Sequence, residues 1–243
     1  MIILYPSSNP FLMIAYLSTN RFWLDDRPLI MDTFCCAGGV GFGYYQAGFI
    51  PVGVDIEQQD NYPFLFVQMD AIEAIEQFVD CFDAIHASPP CQEYSVTKTL
   101  HDNKYPDLLV PTRNALKASG KPYIMENVPG SPMLDYVKLR GDMFGLRTLR
   151  VRYFESNCLL IVPSYPKKKG TTSGNGKKYS SFDDGYYVTV TGNNFRFTDG
   201  KVAMDIFWMT KRELTQSIPP AYSEFLGLQL MRYVNYESLE QAG

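Results

Sequence analysis

Leu29-Ile30-Met31-Asp32-Thr33-Phe34, followed without a break by Cys35-Cys36-Ala37-Gly38-Gly39-Val40-Gly41-Phe42-Gly43, is the stretch that decides the fold. An apolar run of strand length gives way to a glycine-rich turn and then to helical spacing. Glycines at such a turn let backbone N–H groups come close to a ligand, and the helix N-terminus behind them favours negative charge. A tight strand-to-helix turn with no ligand would use the same residues. The remainder of the chain separates these readings only when its segments are taken in combination.

Working outward, further apolar runs at Ile50–Asp55, Phe64–Gln68, Phe82–Ala87 and Pro122–Glu126 alternate with helical stretches at Val40–Ala47, Ala71–Val79 and Asp107–Ala118. Strands alternating with helices predict βαβ units and a mostly parallel, doubly wound α/β sheet of Rossmann-like form. Gly48 and Gly120 stand where helices stop, and Pro111 is expected to delay or kink the third helix. Beyond Asn127 the pattern turns to short β-like runs, Leu149–Phe154 and Tyr186–Thr191, in turn-rich sequence, and a last helix is expected over Ala221–Tyr233.

Composition bounds the possibilities. A chain of 243 residues with 46% hydrophobic content supports one large domain with a small loop-rich insertion. The five cysteines, Cys35, Cys36, Cys81, Cys91 and Cys158, show no CxxC spacing, and His86 and His101 are the sole histidines, so neither a zinc site nor a disulfide framework is expected. Reduced thiols point to a cytoplasmic setting. The apolar stretch Phe11–Leu17 is too short to span a bilayer, and no membrane partner is expected. Residues 163 to 181 hold Lys167, Lys168, Lys169, Lys177 and Lys178 without an acid, a charge of +5 that leaves −9 for the rest of a chain whose net charge is −4. A loop of that kind can hold phosphates on an acidic protein, or be a solvated surface loop.

Polar residues follow each apolar run, where the C-terminal ends of parallel strands converge on one crevice. Asp55 ends the second run and suits a ribose hydroxyl pair; Asp70 ends the third, where it could equally be a helix cap. Ala87-Ser88-Pro89-Pro90-Cys91-Gln92 places a thiol behind two prolines that hold the approach extended, as a positioned nucleophile or a small buried hydrophobe. Glu126-Asn127-Val128-Pro129 brings a carboxylate that burial could raise toward a proton donor, or that backbone N–H groups could satisfy. Arg150-Val151-Arg152 on a β-like run would set both guanidinium groups on one face, for a ligand or for surface pairing.

In this order the segments resemble the cytosine-C5 DNA methyltransferases, and the compact form is similar to phage and prophage members. Asp32 to Gly43 looks like the first motif of that family, Val54-Asp55 the second and Asp70 the third. Ser88 to Ser95 resembles its Pro-Cys loop, Glu126-Asn127-Val128 its Glu-Asn-Val motif, and Arg150 to Arg152 its Arg-x-Arg strand. The resemblance implies an S-adenosylmethionine-dependent methyltransferase that flips a cytosine out of double-stranded DNA. Cys91 would attack C6, Glu126 would hold N3 and donate a proton, and Arg152 would bind the O2 edge, with Asn127 and Arg150 also counted among the catalytic residues. Asp32, Phe34, Cys36, Gly38, Gly39, Asp55, Ile56, Asp70, Ala71 and Pro89 would line the cofactor. Gln92, Ser95 and the five lysines would touch DNA, a monomer being expected.

Residues 31–156 and 211–243 would form the catalytic domain, 157–210 a reduced target-recognition region and 1–30 an extension. Two departures stand out. Cys36 occupies the place of the family's first glycine, which matters if that position needs positive φ. Arg212-Glu213 with Gln216 and Pro219 resembles the ninth motif, but Ile218 to Tyr222 lacks the Gly-Asn pair of the last. A non-catalytic DNA-binding member, or the same chemistry on RNA or a nucleotide, are the alternatives to a DNA cytosine methyltransferase.

Overall fold

The computed structural model describes residues 27–90, 107–166, 187–193 and 195–241. Seven strands form one sheet: β1 (Leu29–Thr33), β2 (Ile50–Asp55), β3 (Leu65–Gln68), β4 (Ala84–Ala87), β5 (Tyr123–Asn127), β6 (Val137–Leu139) and β7 (Arg152–Ser156). Their order is β3-β2-β1-β4-β5-β7-β6. The first five are parallel, and β7 runs antiparallel to both β5 and β6. The helices are α1 (Gly39–Gln46), α2 (Ala71–Phe78), α3 (Leu109–Ala118), α4 (Phe197–Met204), α5 (Lys211–Gln216) and α6 (Pro220–Gln241).

The chain moves outward from β1 through β2 to β3 and then returns to lay β4 on the other side of β1. That reversal opens a crevice at the C-terminal ends of β1 and β4. The two stretches singled out in the sequence, the glycine turn after β1 and the Pro-Pro strap after β4, therefore flank the same gap.

Both faces of the sheet are covered. Met31, Val52, Val54, Ile85 and Met125 pack with α2 and α3 through Ile75, Phe78, Leu109 and Leu116. On the other face Ile30, Ala84, Ile124 and Phe154 meet α1 and α6 through Tyr44, Phe49, Tyr222, Leu226 and Leu230. Each such side chain, fully buried, contributes about 1.5–3 kcal/mol. A third cluster joins Ala37 of the glycine turn to Val190, Phe195, Met204, Met209 and Leu214 around α4 and α5.

Local chemistry explains the boundaries. Asp70 caps α2 by accepting from the Ile72 and Glu73 amides, so its cap reading holds. Pro111 lies in the first turn of α3, where its missing N–H removes no helical bond, and the helix begins at Leu109 without a delay to Pro111. Thr210 and Glu213 form a reciprocal capping box at α5.

The second half departs from expectation. The strand read from Leu149 begins only at Arg152, because Arg150 sits at φ 26 and the Tyr222 hydroxyl donates to the Arg150 carbonyl at 2.9 Å. Of the run expected over Tyr186–Thr191, the described residues 187–191 hold a single bridge at Tyr187 and no regular strand. The sequence pattern gives no sign of the short β6, or of α4 and α5. On the α2–α3 face a buried ion pair joins Arg113 of α3 to Glu155 of β7 at 2.7 Å. Among the described residues no helix is long and apolar enough to cross a membrane.

Candidate active site

On the α1–α6 face the strands are apolar at their beginnings and polar at their ends. Ile30, Ala84 and Ile124 are followed two residues later by Asp32, His86 and Glu126, all buried. Because alternate residues share a face, these polar groups gather at the mouth of the crevice.

Asp32 is the first. Its Oδ2 accepts the Tyr62 hydroxyl at 3.1 Å, while Oδ1 is buried without a hydrogen-bond partner. Burial pushes its carboxyl up to about 8, the Tyr62 hydrogen bond opposing and Asp55 adding to the rise. The Tyr62 ring lies on Gly53 of β2, where a Cβ would meet Tyr62 Cζ at 2.5 Å. Glycine at 53 is thus the space that lets Tyr62 reach Asp32.

The turn after Asp32 bends through the left-handed region three times. Phe34 and Cys36 adopt φ 56 and φ 45, and Gly38 comes next at φ 80. The Cys36 amide donates to Asp55 Oδ2 at 3.0 Å, and Asp55 Oδ1 accepts from the Glu57 amide. Positive φ is required at position 36, so cysteine there carries a cost of about 1–2 kcal/mol that glycine would avoid. Burial, then Asp55, pushes the Cys36 thiol up to about 12, which keeps it neutral. Gly39 faces the C-terminal segment: a Cβ there would strike Ser217 Oγ and the Ile218 carbonyl. Ile56 is exposed beyond β2, and Ala71 is buried at the start of α2.

Glu126 and Arg152 come together from β5 and β7, with Arg152 Nε 2.9 Å from Glu126 Oε1. The contact is an ion pair without hydrogen-bond alignment, since Oε1 has no hydrogen-bond partner. Burial raises the Glu126 carboxyl, and Arg152, the Ser88 hydroxyl and Arg150 in turn pull it back. A buried, incompletely paired carboxyl with a raised pKa is suited to hold and give a proton.

Asn127 and Arg150 also hold the backbone around the site. Asn127 Nδ2 donates to the Pro89 carbonyl at 3.1 Å, and the Ser88 amide donates to the Thr33 carbonyl at 3.2 Å. Together they fix the buried Pro89 strap against β1 and β5. The guanidinium of Arg150 donates to the carbonyls of Val190 and Thr215 at 2.8 and 2.7 Å, stapling the insertion and α5 to the sheet. The expectation that Arg150 lies on the strand with Arg152 is corrected: the strand begins at Arg152, though both arginines pull on the Glu126 carboxyl. Cys91, Gln92, Ser95, Lys167, Lys168, Lys169, Lys177 and Lys178 lie outside the described residues.

Sequence reading missed several contributors. Tyr62, Tyr44 and Trp208 act across long separations, Trp208 Nε1 donating to the Ala37 carbonyl of the glycine turn at 2.8 Å. His86 gave one signal, an ionisable residue inside an apolar run.

No family model and no curated protein matches the sequence. Solved structures do. A DNA modification methyltransferase encoded within a prophage of E. coli superposes with a TM-score of 0.59 at 16% identity, over 86% of this chain and 99% of the other. The Dnmt2 methyltransferase of S. pombe superposes with a TM-score of 0.56 at 12% identity, again over 86% and 99%. The fold is the Rossmann-like one that these methyltransferases share. The doubly wound, mostly parallel class expected from the sequence is thus the class observed, with its crevice at the C-terminal ends of β1 and β4.

Proposed function

We propose that the chain transfers a methyl group from S-adenosylmethionine to C5 of cytosine in DNA, through a covalent Cys91 adduct at C6. The observation that carries this reading is Glu126, a buried carboxyl raised by desolvation and ion-paired to Arg152, beside a tethered strap that leads in sequence to Cys91. The names borne by the E. coli and S. pombe structures agree with it.

The residues at the crevice fit the cofactor. Oδ1 of Asp32 is a buried acceptor that lacks a donor, and an ammonium group supplies one. Asp55 and Asp70 stand at the ends of successive strands as further acceptors for hydroxyl and amino groups. When bound, S-adenosylmethionine supplies an electrophilic sulfonium methyl. Cytosine C5 is a poor nucleophile, so addition of the Cys91 thiolate to C6 would make it an enamine carbon, and after methyl transfer loss of the C5 proton to a base would break the C6–S bond and release the Cys91 thiolate. Glu126 would hold N3 and give it a proton as the ring gains electron density, and Arg152 would bind the O2 edge. Extruding the base costs a few kcal/mol, which these contacts offset. Gln92, Ser95 and the lysines at 167–169, 177 and 178 are proposed to contact duplex DNA.

A second reading is favoured by Cys36: a cysteine at φ 45 in the cofactor turn suits a DNA-binding member that no longer transfers methyl groups. Bisulfite sequencing of DNA from cells expressing the protein separates the two. Protected cytosines that vanish with Cys91→Ala support the enzyme; unprotected DNA together with absent S-adenosylmethionine binding in calorimetry supports the second reading.

A further inference from the structure

His86 lies at the centre of the sheet, fully buried, and the proposed methyl transfer gives it no task. Its Nδ1 is 2.8 Å from the Tyr44 hydroxyl and its Nε2 is 3.0 Å from Ser88 Oγ. Tyr44 is a fixed base for it: the ring is fully buried, packs edge-on to Phe49, and is closed over by Gly227 of α6, where a Cβ would come within 2.9 Å of Tyr44 Cδ1. Ser88 follows His86 on the same face of β4. The register pairs His86 with Ile124 and Ala87 with Met125, so the next step sets Ser88 beside Glu126, whose carboxyl the Ser88 hydroxyl pulls back toward the charged form.

We propose that His86 is a positioning residue for Glu126: seated on Tyr44, it directs the Ser88 hydroxyl so that its hydrogen points at the carboxyl.

Counting hydrogens fixes the arrangement. Burial lowers the imidazole to about 3, so it is neutral and has one N–H. Ser88 also has one hydrogen. If that hydrogen serves Glu126, Nε2 must donate to Ser88 Oγ, and the bare Nδ1 must accept from Tyr44. Every donor is then used once, in the direction Tyr44 to His86 to Ser88 to Glu126. A serine standing alone at a strand end would rotate among acceptors; this one is held from behind. The groups facing Glu126 are Arg152 and Arg150 from the β7 side, Cys36 from the glycine turn, and Ser88. Tyr44, which carries His86, faces Asp32.

This inference rests on the proposed role of Glu126 as proton donor, and its test has a readout that needs no activity. Titration of the Glu126 carboxyl stretch by infrared difference spectroscopy, identified by its loss in Glu126→Gln, is compared across Ser88→Ala, Ser88→Thr and His86→Phe. Removing a hydrogen bond to the carboxylate in Ser88→Ala is expected to move the titration up by about one pH unit, a tenfold change in proton affinity. His86→Phe should move it in the same direction, and Ser88→Thr should restore the native value. In methyl transfer Ser88→Ala should lose about tenfold in kcat with KM unchanged, its alkaline limb displaced upward in parallel.

An unmoved titration in Ser88→Ala overturns the inference, whatever the activity. A moved titration in a protein without methyl transfer upholds the relay and sinks the proposed function instead. Ser88 is only half-buried, so the Ala variant decides the matter even if His86→Phe fails to fold.

Discussion

Two glutamate–arginine pairs sit one residue apart in register on opposite faces of the same pair of strands, and they are built to different ends. Met125 of β5 faces Glu155 of β7, and Glu126 faces Phe154. Glu155 is fully engaged: Arg113 donates from Nε to Oε1 and from Nη2 to Oε2, at 2.7 and 2.9 Å, and the Leu134 amide adds a third bond at 2.8 Å. Arg113 in turn donates to the Pro132 carbonyl. Glu126 has one ion-pair contact, an oxygen without a hydrogen bond and a pKa pushed upward by burial. A fork-to-fork pair with its remaining bonds satisfied locks the fold; a buried carboxyl left partly unserved keeps capacity for something that is yet to arrive.

The sharpest way to break this contrast is to make both carboxyls neutral amides. Glu126→Gln should lower methyl transfer by about a hundredfold to ten-thousandfold while leaving the thermal midpoint close to wild type. Glu155→Gln should do the reverse. Stranding Arg113 costs about 3 kcal/mol, or roughly 10 °C in the midpoint, with kcat per folded molecule unchanged. Scanning calorimetry and single-turnover kinetics on both variants check the pair; an equal loss of activity in the two would dissolve the distinction.

Asp32 extends the Glu126 side of the comparison, being buried with an unpaired oxygen. Its carboxyl rises from 3.8 to about 8 on folding, so the neutral acid is the form the folded state prefers. Its contribution is fully present below about pH 3.8 and is lost as pH rises through about 8, because the unfolded chain releases that proton first. The difference in midpoint between wild type and Asp32→Asn should therefore shift in favour of the Asn variant across that window. A pH-independent difference would refute the assignment. The smallest effect is expected at Cys36→Gly, which relieves the positive φ and should add about 1 kcal/mol of stability and tighten S-adenosylmethionine severalfold in calorimetry.

The legible part of the chain is the part governed by local chemistry. β1 to β5 could be read because each apolar run is bounded by a turn residue, and the placement of Asp55 at the end of β2 because strand ends in a parallel sheet share one edge. The strand bound at Arg150 was misread since its backbone answers to Tyr222, 72 residues later, and its side chain to Val190 and Thr215. The bond from the Asn127 amide to Pro89 was not legible, because it is set by the β4–β5 register. His86 had no role legible in the sequence because its partner Tyr44 lies 42 residues earlier, on a helix whose orientation no local pattern reveals.

The seating of α6 on α1 has a consequence for how the chain is made. Ser223 donates to the Val40 carbonyl across 183 residues, and a Cβ at Gly43 would collide with the Pro220 carbonyl and Ser223 Oγ. The glycine helix behind the crevice therefore lacks one wall until α6 has left the ribosome. During synthesis the early strands can pair, but the glycine turn waits for α6, so a nascent chain holds no finished crevice.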